Sequence, residues 1–163
     1  MEKNFYKFVI PVKPDSINKV CQFGKTGGDI IKMKHKWEKI AMTYIARARD
    51  SGDLPESFFG KIGVHFKLFF EYERQRDGDN YALMCKGILD AFVKSQMIED
   101  DNYTHVDDNG RRFEIDKDQS RVEVHITEKL HGNNIVQINY APGKAQLNNK
   151  YRSSLGDNRS FGL

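Results

Sequence analysis

The sequence predicts an α+β fold, a small mixed β-sheet packed with two main helices. Three observations predict it. Apolar and polar residues alternate in three separate stretches, the period of a strand with one buried face. Two other stretches repeat apolar residues at helical spacing. And 163 residues suffice for a domain whose core needs no disulfide or structural metal.

The first strand is "FYKFVIPV", with Tyr6, Phe8, Ile10 and Val12 on one face. Pro14 in "KPDSIN" breaks it, and "FGKTGGD" follows as a glycine-rich loop. "IIKMKHKWEKIAMTYIARARD" is a predicted helix, with Trp37, Ile40, Ala41, Tyr44 and Ile45 forming an apolar stripe. Its basic residues, Lys32, Lys34, Lys36, Lys39, Arg47 and Arg49, are more scattered, and several must face solvent. "SGDLPES" ends that helix. "KIGVHFKLFFEYE" is the clearest strand, burying Ile62, Val64, Phe66, Leu68, Phe70 and Tyr72. A second helix is predicted from about Asn80 to Gln96, and "SRVEVHITE" alternates again through Val122, Val124 and Ile126. Residues 1–130 thus form the domain. Residues 131–163 are an extension, with "NIVQINY" as a short strand before a polar, mobile basic tail.

The net charge is +3, unevenly spread. Residues 1–50 carry +6, residues 51–130 carry −6 and residues 131–163 carry +3. A basic arm and tail around an acidic centre suit an anionic polymer held about an acid-bound cation, although scatter on a soluble surface gives the same sums. Cys21 and Cys85 stand far apart and outside metal-ligand spacing, as in a reduced cytoplasmic protein. The opening "MEKNFYKFVIPVKP" lacks the apolar core of a signal peptide, and no stretch approaches a membrane span. The expected location is therefore the cytoplasm.

Several motifs fail on inspection. "GKT" at Gly24–Thr26 would need glycine at position 19, which is Lys, and a helix starting on the Lys-Thr pair, which is not expected. "HVDDNG" lacks the first and twelfth ligands of a calcium loop, with His105 and Asp116 there, and is better taken as a polar turn. His65 and His125 fall on outward strand faces, and no His pairs with a Cys at zinc-ligand spacing.

The carboxylates of "RDGDNYALMCKGILDAFVKSQMIEDD" remain. Taken singly they are ordinary, Asp79 as a helix cap and Asp100 and Asp101 as the start of a turn. Lys86, Asp90 and Lys94 likewise make an ion-paired helix stripe. Taken together, "DGDN" after a strand and "DD" beyond a helix supply the hard oxygen ligands that suit Mg²⁺. This pattern resembles the RusA family of Holliday-junction resolvases, whose signature is D-x-D-N, a helix carrying Lys and Asp, then D-D. "IPVKPDSIN" resembles the family's opening strand, and the match covers roughly residues 5–128.

The resemblance implies a homodimeric, Mg²⁺-dependent endodeoxyribonuclease that cleaves four-way DNA junctions symmetrically. It assigns Asp77, Asp79 and Asp101 as metal-binding catalytic residues, Asp100 as their acidic neighbour and Lys86 as the active lysine. Arg76 matches the basic residue before the first aspartate, and Asn80 completes D-x-D-N. Lys86 stands six positions after Asn80, where the compact motif has three, so about one helical turn is inserted. Lys25, Lys32, Lys34 and Lys36 are candidate phosphate contacts, with a solvated helix face as the plain alternative. A helix over residues 80–96 is roughly 25 Å long, whereas residues 97–101 reach at most about 17 Å. Unless the helix is shorter, antiparallel helices in a dimer would set Asp101 of one protomer beside Asp77 and Asp79 of the other. The rival expectations are a junction-binding protein without cleavage, and another Mg²⁺-dependent phosphoryl-transfer enzyme.

Overall fold

A computed structural model of the chain describes residues 3–18 and 27–129. The elements run β1 (Lys3–Ile10), α1 (Gly27–Asp50), β2 (Ile62–Phe70), a 3₁₀ turn (Gly78–Tyr81), α2 (Ala82–Lys94), β3 (Val106–Ile115) and β4 (Arg121–Lys129). The four strands form one sheet in the order β1-β4-β2-β3. β4 is antiparallel to both β1 and β2, whereas β3 lies parallel to β2. The architecture is α+β, with a mixed sheet and two helices, as the periodicities predict.

Strand alternation decides which face is buried. Ile62, Val64, Phe66 and Leu68 of β2, Val122 and Val124 of β4 and Ile10 of β1 are fully buried. The opposite register of the sheet sets Lys7 beside His125, and His125 beside His65. The helices bring Trp37, Ala41, Ile45, Met84, Ile88 and Phe92 into the same core. Phe8 of β1 meets Phe92 of α2 edge to face, with ring centroids 5.7 Å apart. The two helices approach closely at Gly87, where a Cβ would lie 2.6 Å from the Lys34 carbonyl oxygen.

Several boundaries differ from expectation, each for a local reason. β3 was hidden inside what the sequence presents as a polar turn. It is a sheet edge whose buried residue is Val106, and most of its positions are half-exposed or exposed. Its register against β2 slips between Val64 and Phe66, and Gly110 there has φ +85°, as a bulge requires. Tyr72 lies beyond the end of β2 and is 52% exposed. α1 is described from Gly27 onward, and Lys25–Thr26 lie outside the described residues. The objection to a phosphate loop that stands on the sequence is Lys19 in place of glycine.

α2 is shorter than expected because it ends in a Schellman turn. Gln96 has φ +57°, its N–H donates to the Val93 carbonyl, and Met97 N–H donates to that of Phe92. Glycine usually marks this position, and here it is glutamine, so the end carries no sequence signal. Lys94 ion-pairs with Glu38 of α1 at 2.6 Å instead of continuing the Lys86–Asp90 stripe. Lys25, Cys21, the "NIVQINY" strand and the tail lie outside the described residues. Cys85 is buried, and burial pushes its thiol up to about 11 against the opposing influence of Arg111. Among the described residues no helix is long and apolar enough to cross a membrane.

Candidate functional site

Two segments distant in sequence meet over one cleft of about 330 Å³. Lys13, Pro14, Ser16 and Asn18 come from the loop after β1, and residues 70–81 come from the exit of β2. Each wall has an anchor. Asp15 accepts from Lys36 Nζ at 2.5 Å and from Trp37 Nε1 at 3.1 Å, which fixes the first loop to α1. Tyr81 packs edge-on against Phe70 and Phe113, with centroids 5.7 and 5.4 Å away, which fixes the 3₁₀ turn to the ends of β2 and β3. Burial raises the Tyr81 phenol above its ordinary pKa, and the neighbouring Arg76 opposes that rise.

The turn between these anchors carries the D-x-D-N residues. Asp77, and not Asp79, is its cap, because its carboxylate accepts from the Asp79 backbone N–H at 3.1 Å. Asp77 lines the cleft, and both aspartates are exposed. Asn80 also lines the cleft, with its backbone N–H bonded to the Asp77 carbonyl. Arg76 is engaged internally. Its guanidinium lies 3.8 Å over the Phe70 ring and donates to the carbonyls of Arg74 and Tyr72. Its charge still faces the cleft, but its hydrogen bonds shape the loop.

Lys86 and Asp101 belong to a second, ion-paired cluster. Lys86 Nζ bonds directly to the Asp101 carboxylate and lies 3.2 Å from Asp90, which in turn is 2.6 Å from Lys34 of α1. Burial works against the Lys86 charge, but the bonds to Asp101 and Asp90 outweigh it and raise its pKa. Burial likewise opposes ionisation of Asp90, and the bonds from Lys34 and Lys86 overcome it and lower its pKa. Asp100 accepts from Asp101 N–H and from Asn102 Nδ2, so it organises the turn that presents Asp101. The short α2 lets the chain return along its own helix, so Asp101 meets Lys86 within one protomer.

The predicted site residues therefore divide. Asp77, Asp79, Asn80 and Arg76 share the turn at the cleft, while Lys86, Asp101 and Lys34 share the ion-pair cluster. Lys32 pairs with Asp29 at the solvent-exposed start of α1, and Lys36 holds Asp15. Among the described residues, no three His, Cys, Asp or Glu side chains form a group that could hold a metal ion. The full aspartate set is thus not gathered in one chain. Mg²⁺ takes as few as one or two protein carboxylates and fills its remaining positions with water and phosphate oxygens. Asp77 and Asp79, both exposed on one turn, meet that smaller requirement.

Lys13, Arg74, Gln75 and Tyr72 were missed as cleft residues. Tyr72 carried a usable signal, since the glutamates on either side of it mark the place where the buried run ends. Lys13 and Arg74 carried none, because their meeting depends on β1 and β2 lying on either side of β4. No protein-family model matches the chain, and no curated protein is significantly similar to it.

Proposed function

We propose that the protein is a Mg²⁺-dependent endodeoxyribonuclease acting on four-way DNA junctions, in the manner of the RusA family it resembles. The observation that carries this reading is the meeting of "KPDSIN" and "RDGDNY" over one cleft, with Lys13, Arg74 and Arg76 around Asp77. Both segments are part of the resemblance, and they lie more than fifty positions apart in sequence. Lys13 and Arg74 attract the phosphate backbone. Asp77 and Asp79 would hold Mg²⁺, which when bound polarises a phosphate oxygen and lowers the pKa of a ligated water. Lys86 lies near the start of α2, five residues beyond the 3₁₀ turn, and would supply positive charge for a phosphate whose charge grows in the transition state. A two-fold dimer would present two such sites for the paired nicks that resolution requires.

The test is cleavage of a labelled synthetic four-way junction, with linear duplex as control, by the wild type and by Asp79→Asn. Symmetric nicks are expected that need both Mg²⁺ and Asp79, with at least about a hundredfold loss in the variant. Equal nicking by the variant would overturn the reading. A second reading, junction binding without cleavage, is favoured by one observation: Asp101 is neutralised by Lys86, and no three-carboxylate group forms among the described residues. Tight junction binding with no nicks in Mg²⁺ would select it.

A further inference from the structure

The cleft offers more than charge. Its walls present the exposed ring of Tyr72, with the Lys13 ammonium 5.5 Å and the Arg76 guanidinium 5.8 Å from the ring centroid. The side-chain amides of Asn18, Gln75 and Asn80 also line it, and among the described residues none of the three makes a hydrogen bond. Arg74 lines the same space. Each group has a chemical requirement. Lys13 and Arg74 call for an anion. The ring calls for a flat π-system that can stack on it. The amides, each with donors and an acceptor, call for an edge carrying both.

A bare phosphate leaves the ring and the amides unused. A base pair inside duplex DNA has its faces covered by its neighbours, and an acidic peptide has backbone donors and acceptors for the amides but no flat π-face for the ring. The volume of about 330 Å³ is at the small end of ligand sites, enough for one nucleotide and too small for several.

We infer that the cleft takes a single nucleotide with its base unstacked. The phosphate faces Lys13 and Arg74, the base lies on Tyr72, and its edge meets the amides of Asn18, Gln75 and Asn80. This deepens the nucleic-acid reading of the cleft and rests on it, but it does not rest on cleavage. The nucleotide comes either from a strand opened at a branch or bulge, or from a free mononucleotide, and the two sources share this chemistry.

The experiment uses the full chain in chelator, so that nicking plays no part. Fluorescence anisotropy compares a duplex with one bulged adenosine, the same duplex with an abasic bulge, and the unbroken duplex. Calorimetric titrations compare deoxyadenosine monophosphate, deoxyribose 5-phosphate and inorganic phosphate. The wild type is expected to prefer the bulged base over the abasic bulge by about tenfold. Tyr72→Phe keeps that preference. Tyr72→Ala loses it while still binding the abasic bulge, since an exposed ring can be removed without disturbing the core.

Tyr72-dependent binding of the monophosphate, without preference for the bulged base, supports the site and assigns it to free nucleotides. Equal binding of both bulges, together with a monophosphate bound no better than deoxyribose 5-phosphate, overturns the inference. A preference that survives Tyr72→Ala overturns it as well. Failure of junction cleavage with the base preference intact would count against the nuclease reading alone.

Discussion

The turn at Asp77–Asn80 and the cluster around Lys86 carry similar residues and use them in opposite ways. In the turn the aspartates are exposed, and Asp77 accepts a single backbone hydrogen bond. In the cluster every carboxylate is answered by a lysine, and Lys34, Lys86, Asp90 and Asp101 tie α1, α2 and the following loop together. Exposed carboxylates cost the fold little and stay available to a ligand. Paired ones contribute to the fold and are available only if their partner moves. The comparison predicts that changes in the turn act on function and changes in the cluster act on both.

Lys86 tests that division most severely, because it serves the cluster and is proposed to serve the reaction. Lys86→Met is expected to lower junction nicking about a hundredfold while costing about 1 kcal/mol of stability, read by cleavage assay and urea denaturation together. A large loss of stability with proportionate loss of activity would make it a structural lysine only. Gly87→Ala comes next, since the added methyl meets the Lys34 carbonyl and the Trp37 Cβ. It should cost about 2 kcal/mol by forcing α1 and α2 apart, measured as a lower urea midpoint.

Asp90→Asn should cost about 1.5 kcal/mol at neutral pH, by weakening the bonds of two lysines. The sign with pH follows from the lowered Asp90 pKa. Its contribution is full above the ordinary carboxylate pKa of about 3.9 and is lost as pH falls through the depressed folded value. Wild type and Asp90→Asn should therefore converge in stability in acid, and parallel pH curves would show that the pairs matter little. The smallest effect is a gain. Gln96→Gly relieves the left-handed backbone at the end of α2 and should stabilise by about 1 kcal/mol, seen as a higher melting temperature.

The elements built on periodicity were legible, because one-sided burial imposes it. β1, β2, β4 and the stripe of α1 all show their buried faces in the sequence. β3 was not legible, since an edge strand with a glycine bulge and charges at Asp107, Asp108, Arg111 and Arg112 has little apolar face to display. The end of α2 was missed for a different reason, a glutamine in a conformation that usually announces itself as glycine. At the site, the turn and the acidic pair were visible as local runs of residues. The cleft was not, because Lys13 and Tyr72 meet only through the sheet order, a long-range property with no local trace.

The parallel pairing of β2 and β3 has a consequence for how the site comes into being. Everything from Tyr72 to Asp101 lies on the one connection between those strands, and Tyr81 is held by a ring from each, Phe70 and Phe113. The entropy of closing that long loop must be met before its contacts form. A nascent or partly folded chain in which β3 has not docked therefore has the motif but not the site. The cleft is complete only once that edge strand has docked.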